Sequence, residues 1–372
     1  MKARADGTNS WPTEAVKSSL FYCRTAVLAL LVVAFLSTCA SAGVVFNTVQ
    51  FVYNPPGNRY SYGPSVVKVG NTEHIFVCQN EVSGVVKDSI YYHQRVNGSI
   101  VQSTKVLSAG ASGAWDSFHV CDPSILQGSF LMSGVTYSYA LFYTGNDRDA
   151  SQNNQVGVAF ANNLAGPWTK YPYPLIFNTT GTSSWGVGQP SVTSVNGSGD
   201  ALIFYTEGGA TLTRGMVAHL DIHNMAGIIT YFYQAVTNAG LTDQNGNPDY
   251  LNNFDMVYDP SRDRFYVVRE QHPYPSNFPT WITSSVQVAS IPGGNIWAGN
   301  GTWVPEGAVS TGLTGFPRNH NAGIKRSFYG TLPSASNLDV MFTNSCDDSG
   351  GGCNSFPAVL WTYDLYEALG TL

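Results

Sequence analysis

One pattern restricts this chain more than any other: a proline, a serine and a β-branched or apolar run, written three times. It stands in "SYGPSVVKV" from Ser61, in "HVCDPSIL" from His119 and in "GVGQPSVTSV" from Gly186. The anchors Pro64, Pro123 and Pro190 recur at a step of about 65 residues, and the same step reaches Asp255 in "NNFDMVYD" and His320 in "FPRNHNAGI". Every unit adds a second apolar segment, such as "YALFYTGN" from Tyr139 or "ALIFYTEG" from Ala201, and then a third, such as "QVGVAFANN" from Gln155. These segments are short, rich in β-branched and aromatic residues, and punctuated by Gly, Asn, Asp or Pro. Five such units predict an all-β fold, a five-bladed β-propeller in a single domain over residues 43–372. The run "VVFNTVQFVY" from Val44 is expected to supply the strand that closes the ring, and "LYEAL" near the end to form at most one or two helical turns. An eight-stranded jelly roll would match the strand content but leaves the fivefold repeat unexplained.

Charge explains the surroundings such a fold is made for. Only 11% of the residues are charged, against about 25% in an ordinary soluble domain. The net charge of −6 offers no basic face to nucleic acid. No glycine-rich phosphate cradle leads into a helix, so no nucleotide cofactor is expected.

Arg24, the apolar run Ala26–Leu36 and "ASA" at Ala40–Ala42 read as a signal peptide over residues 1–42, with a retained anchor as the alternative and a lipid site at Cys39 a weaker one. The expectation is a secreted protein with no membrane segment after cleavage. Sequons at Asn97, Asn178, Asn196 and Asn300 agree with that route. Cys346 and Cys353 bracket a flexible "DDSGGG" and are expected to pair, whereas Cys78 and Cys121 fit a bridge or two buried thiols equally. Cys-x-x-Cys and His-x-x-x-His pairs are absent, which argues against structural zinc.

In a propeller the first strand of each blade lines the axis, and the second returns to the rim where the first began. Strand starts at Gly63, Asp122, Gln189, Asp255 and His320 should therefore meet strand ends at Glu81, Asp147, Glu207 and Glu270. Paired carboxylates are what hydrolysis of a glycosidic bond requires, and Phe118, Trp115, Tyr137, Trp185 and Trp281 offer flat faces for sugar rings. Asp259 is expected on a surface hairpin. Serine-based hydrolysis is disfavoured, because no G-x-S-x-G elbow occurs.

The "DPS" strand starts, the "LFYTG" second strand and "VGVAFANNLAGPWTKY" together resemble the five-bladed propeller glycosidases, family 43 arabinanases and β-xylosidases and, more distantly, the invertase and levansucrase group. Gly157 to Trp168 is similar to their "G-x-A-x-S-x-x-x-x-G-P-W" turn, and "NHNAG" to the fifth-blade "G-H-N" whose His helps hold a central metal ion or water. The chain departs from that family where the resemblance places a base Asp, a helper Asp and an acid Glu: Gly63, Gln189 and Asn253–Asp255 stand there, while Asp122 occupies the second blade.

The resulting expectation is a secreted, monomeric glycoside hydrolase acting on poly- or oligosaccharide. Glu207 would be the acid and Asp122 or Asp255 the base, with His320 positioning a water or an ion. Gln189, Asn321, Trp185, Glu270 and His119 would bind substrate. No cofactor is required, although His320 leaves a place for a central calcium ion or ordered water. A noncatalytic carbohydrate-binding propeller is the alternative, and a protein scaffold a more distant one.

Overall fold

The computed structural model describes residues 43–372 except 58, 84, 149–151, 278 and 346–363. The expected Cys346–Cys353 pair and the expected signal segment lie outside the described residues.

Strand β1 (Val45–Tyr53) precedes the first blade, which is β2 (Ser61–Val69), β3 (Thr72–Asn80), β4 (Asp88–Val96) and β5 (Ser99–Leu107). The second blade is β6 (His119–Met132), β7 (Val135–Asn146), β8 (Gln155–Ala161) and the short β9 (Thr169–Lys170). The third holds β10 (Gly186–Ser194), β11 (Asp200–Gly208), β12 (Thr213–Asp221) and β13 (Ile229–Ala235). The fourth holds β14 (Phe254–Asp259), β15 (Arg264–Glu270), β16 (Ser285–Pro292) and β17 (Val304–Ser310), with helix α1 (Gly293–Ala298) before its last strand. After helix α2 (Thr311–Thr314), β18 (Asn319–Ile324), β19 (Val340–Asn344) and β20 (Asp364–Thr371) complete the fifth blade together with β1. Each sheet is antiparallel, so the chain is a five-bladed propeller whose N-terminal strand closes its last blade.

The "LYEAL" segment is strand β20 and not a helical turn. Leu365, Glu367 and Ala368 turn inward, and pairing with both β1 and β19 satisfies a backbone that five residues of helix could not. Glu367 and Glu73 share Arg95 and Lys325 in a buried network that ties blade 5 to blade 1.

Alternation along each strand sends successive apolar side chains to opposite neighbours. On β11, Ile203 packs against Leu126 and Phe142 of blade 2, while Leu202 and Phe204 pack against Met256 and Phe265 of blade 4. Equivalent clusters fill the other three junctions. Burial on both faces is why the strands read as nearly continuous apolar runs.

The innermost strands carry one shared irregularity. Gly63, Asp122, Gln189, Asn253 and Asn321 all have positive φ, from 43° to 59°. In blades 1, 2, 3 and 5 the pairing register shifts there, the mark of a bulge that re-aims one residue. Blades 4 and 5 are thus aligned at Asn253 and Asn321, two residues before Asp255 and one after His320. Those blades lack the proline, and repeat spacing alone does not fix register.

Two residues further along stand Ser65, Ser124, Ser191, Asp255 and Gly323. The fully buried Arg326 guanidinium fills the axis among them, donating to Ser124 Oγ at 2.8 Å and Ser65 Oγ at 3.0 Å. It also lies 3.2 Å from Asp255 Oδ1, while Asp255 accepts from Ser191 Oγ at 2.6 Å and the Ile324 amide at 2.8 Å. Gly323 completes the ring because a Cβ there would stand 2.0 Å from the Pro64 carbonyl oxygen. The channel is therefore closed at one depth by an ion pair that the fold supplies itself.

Candidate active site

Above this plug, on the face where the first strands begin, lies a funnel of about 1130 Å³. His119, Asp122, Gln189, Glu270, His320 and Asn321 line it, joined by the aromatic rings of Trp185, Trp281 and Phe118. Trp115 and Tyr137 are not on that wall: Trp115 stacks on Tyr143 within blade 2, and Tyr137 lies beside Phe160.

Two expected acids stand elsewhere. Glu207 pairs in register with Arg214 on β12, whose Nε and Nη2 reach one carboxylate oxygen at 2.9 and 2.7 Å. Its neighbours Thr206 and Gly208 line the funnel, and strand alternation sends the intervening side chain to the other face. Asp255 lies below the funnel, held by Arg326, and borders a small cavity of about 30 Å³ among the five left-handed residues, room for about one water. Glu81 and Asp147 are spent on Lys105 and Arg148. Asp259 pairs with Arg262 at the turn after β14.

Asp122 is shaped by its bulge. Its backbone amide meets Cys78 Sγ at 2.8 Å, and Cys78 is bonded to Cys121, so a disulfide crosslinks blades 1 and 2 directly beneath the side chain. Burial raises the Asp122 carboxyl to about 6, with help from the nearby Asp88 charge and against the pull of a Thr144 hydrogen bond and of His119 and His320. The same Thr144 hydroxyl oxygen accepts the Gln189 amide at 2.7 Å.

Glu270 ends β15 and is 1% exposed. Burial pushes its carboxyl up, but His320, Tyr274 and Asn253 outweigh it, and the result lies below the usual carboxylate range. The Glu270 Oε1 atom contacts His320 Nδ1 and accepts Asn253 Nδ2 at 2.6 Å; Oε2 accepts the Tyr274 hydroxyl at 2.8 Å. Burial beside Glu270 pushes the Tyr274 hydroxyl far up, so it stays a donor. That contact orients the His320 ring, which lines the funnel.

Sequence reasoning missed Asp88, Tyr62 and Tyr274, and it gave Asn253 no role at the site. Asp88 was within reach, since the third strand of a blade starts at the rim where the second ends. Among the described residues, the single His/Cys/Asp/Glu cluster with metal-ligand spacing is Cys78, Cys121 and Asp122, and its two sulfurs are committed to the disulfide.

No family model matches the chain, and no curated protein sequence matches it. Solved structures do. A family 117 glycoside hydrolase of the marine bacterium Zobellia galactanivorans superposes with a TM-score of 0.55 at 12% identity, over 88% of this chain and 90% of that one. The catalytic domain of a family 62 α-L-arabinofuranosidase from Coprinopsis cinerea gives 0.57 at 13%, over 89% and 98%. A thermostable family 43 glycoside hydrolase gives 0.51 at 13%, over 86% and 92%. At such identities the likeness is one of fold, and the fold is one that glycoside hydrolases use.

Proposed function

We propose that the chain is a secreted glycoside hydrolase in which Asp122 protonates the leaving oxygen and the Glu270–His320 pair holds and deprotonates the attacking water. The observation that carries this reading is a single funnel with two carboxyl groups whose proton affinities are pushed in opposite directions, both coupled to His320. Environments that separate two titratable groups in this way assign acid and base roles. Asp122, raised to about 6, keeps a proton to give in mildly acidic solution. Glu270 keeps its charge and stabilises the imidazolium that forms when His320 accepts a proton from water.

The substrate class follows from the walls. Trp185, Trp281 and Phe118 suit the apolar faces of sugar rings, and Gln189, Asn321 and Asn253 suit hydroxyl groups. The neighbours that act on polysaccharides give the same direction at the level of fold. Secretion is supported by the Cys78–Cys121 disulfide and by sequons at Asn97, Asn196 and Asn300 in exposed turns. The Asn178 amide, by contrast, already donates to Asn153 Oδ1 and the Gly181 carbonyl.

The test is a screen of the purified protein against arabinan, xylan, galactan, agar and fructan fragments, repeated with Asp122→Asn. Turnover by the wild type that falls about 10²- to 10⁴-fold in the variant, with ligand affinity kept, supports the reading. Binding without turnover by the wild type sinks it in favour of a carbohydrate-binding propeller.

A further inference from the structure

Behind the funnel wall lies a carboxylate that this scheme leaves unused. Asp88 opens β4, is 1% exposed, and accepts the hydroxyls of Tyr60 at 2.5 Å and Tyr62 at 2.6 Å. Its Oδ2 lies 3.5 Å from His119 Nδ1, within ion-pair range and beyond a good hydrogen bond. That nitrogen is buried without a hydrogen-bond partner among the described residues. Tyr62 and His119 both line the funnel.

The group repeats the composition of the Glu270 site. Each consists of a buried carboxylate, a tyrosine hydroxyl donated to it, and an imidazole Nδ1 turned towards it. Asp122 lines the same funnel and feels the charge of both His119 and His320. One imidazole suffices to activate water. The acid, however, must regain its proton after every turnover, and His119 lines the same funnel as the half-buried Asp122.

We propose, on the reading of Asp122 as the acid, that Asp88 is a positioning residue that holds the His119 imidazole against Asp122 so that His119 returns the proton. In the step, the Asp122 proton goes to the leaving oxygen as the glycosidic bond breaks. The His119 imidazolium then gives its Nε2 proton to the Asp122 carboxylate and becomes neutral, and it takes a proton from hydronium or buffer acid at the funnel mouth. The proton lost by the attacking water leaves through His320, so the cycle is balanced. Asp88 faces Nδ1 of His119 and so orients the ring. The charged and titratable groups around His119 are Asp88 from β4, Tyr60 and Tyr62 from the first blade, Asp122 from its own strand, Lys87 over the Phe118 ring at 5.9 Å, and His320 across the funnel.

The experiment uses full-length Asp88→Asn and His119→Ala with the glycoside found in the screen and with the dinitrophenyl glycoside of the same sugar. The activated substrate needs no protonation of its leaving group. Expected is a fall of about tenfold or more in kcat on the natural glycoside with KM within twofold, and little change on the dinitrophenyl glycoside. The alkaline limb of the pH profile should move to lower pH, and added imidazole should restore His119→Ala in proportion to its concentration. Equal losses on both substrates with no response to buffer overturn the proposal and leave Asp88 a packing residue. If Asp88→Asn does not fold, His119→Ala decides alone. Hydrolysis that survives Asp122→Asn sinks the acid reading and this proposal with it, whereas a dead Asp122→Asn beside buffer-insensitive Asp88 and His119 variants sinks this one only.

Discussion

Glu270 reaches His320 across the junction of blades 4 and 5, and it does so with no oxygen to spare: Oε1 serves His320 and Asn253, and Oε2 accepts Tyr274. A carboxylate so occupied is a poor nucleophile. It can only act through the imidazole, and a water deprotonated by that imidazole attacks the anomeric carbon in a single displacement.

The first expected outcome is therefore inversion of configuration. Proton NMR during early turnover should show the product anomer opposite to that of the substrate. Net retention would require a covalent intermediate, and so would overturn the role given to His320. Glu270→Gln should lower kcat about 10²-fold or more, because a neutral amide cannot stabilise the imidazolium.

Asp122 carries a second expectation, in stability. Its folded value of about 6 exceeds that of the unfolded chain, so the folded state binds the proton more tightly. Stability from this group is then present below about pH 4 and is lost as pH rises to about 6. Allowing for solvent in the funnel, the loss is about 1–3 kcal/mol. Asp122→Asn should raise Tm at pH 7.5 and change it little at pH 3.5. A uniform shift at both values would contradict the burial argument.

The axial ion pair gives the opposite kind of result. Removing Asp255 leaves Arg326 buried without its counter-charge, which costs about 3–5 kcal/mol. Asp255→Ala should thus unfold at much lower denaturant concentration. Glu207→Gln, which loosens only Arg214 on the far face, should keep kcat within about threefold. A dead but fully stable Asp255→Ala would return Asp255 to the catalytic list.

These two acids also mark how far the sequence could be read. Pro64, Pro123 and Pro190 sit at equivalent bulges, so blade count, ring closure and the site positions of Asp122 and Gln189 were legible. Where the proline is replaced by Phe254 and Ala322, the repeat lost its register, and Asp255 was taken for a rim residue. Glu207 failed by one residue, because the period of a strand is two and a single step changes the face. Glu270 and His320 were placed at the funnel, but their contact across a blade junction has no local signature. The Cys78–Cys121 bond is of the same kind: each cysteine sits in an apolar strand, and only the neighbouring blades bring them together.

That bond supports the last expectation. It closes a loop with a sequence separation of 43 residues and lies directly below Asp122, whose amide contacts Cys78 and whose Oδ1 is 3.4 Å from Cys121 Sγ. Its loss should cost about 2–4 kcal/mol, chiefly by enlarging the unfolded ensemble. It should also release the bulge that aims the acid, since β3 and β6 would then meet at that level through packing alone. Paired Cys78→Ser and Cys121→Ser substitutions should therefore lower Tm by several degrees and lower kcat further than the stability loss accounts for at a temperature where the protein is still folded. Free-thiol labelling of the native protein under denaturing, non-reducing conditions provides the control. Labelled Cys78 and Cys121 would mean that the bridge does not form and that Asp122 is held by its blade alone.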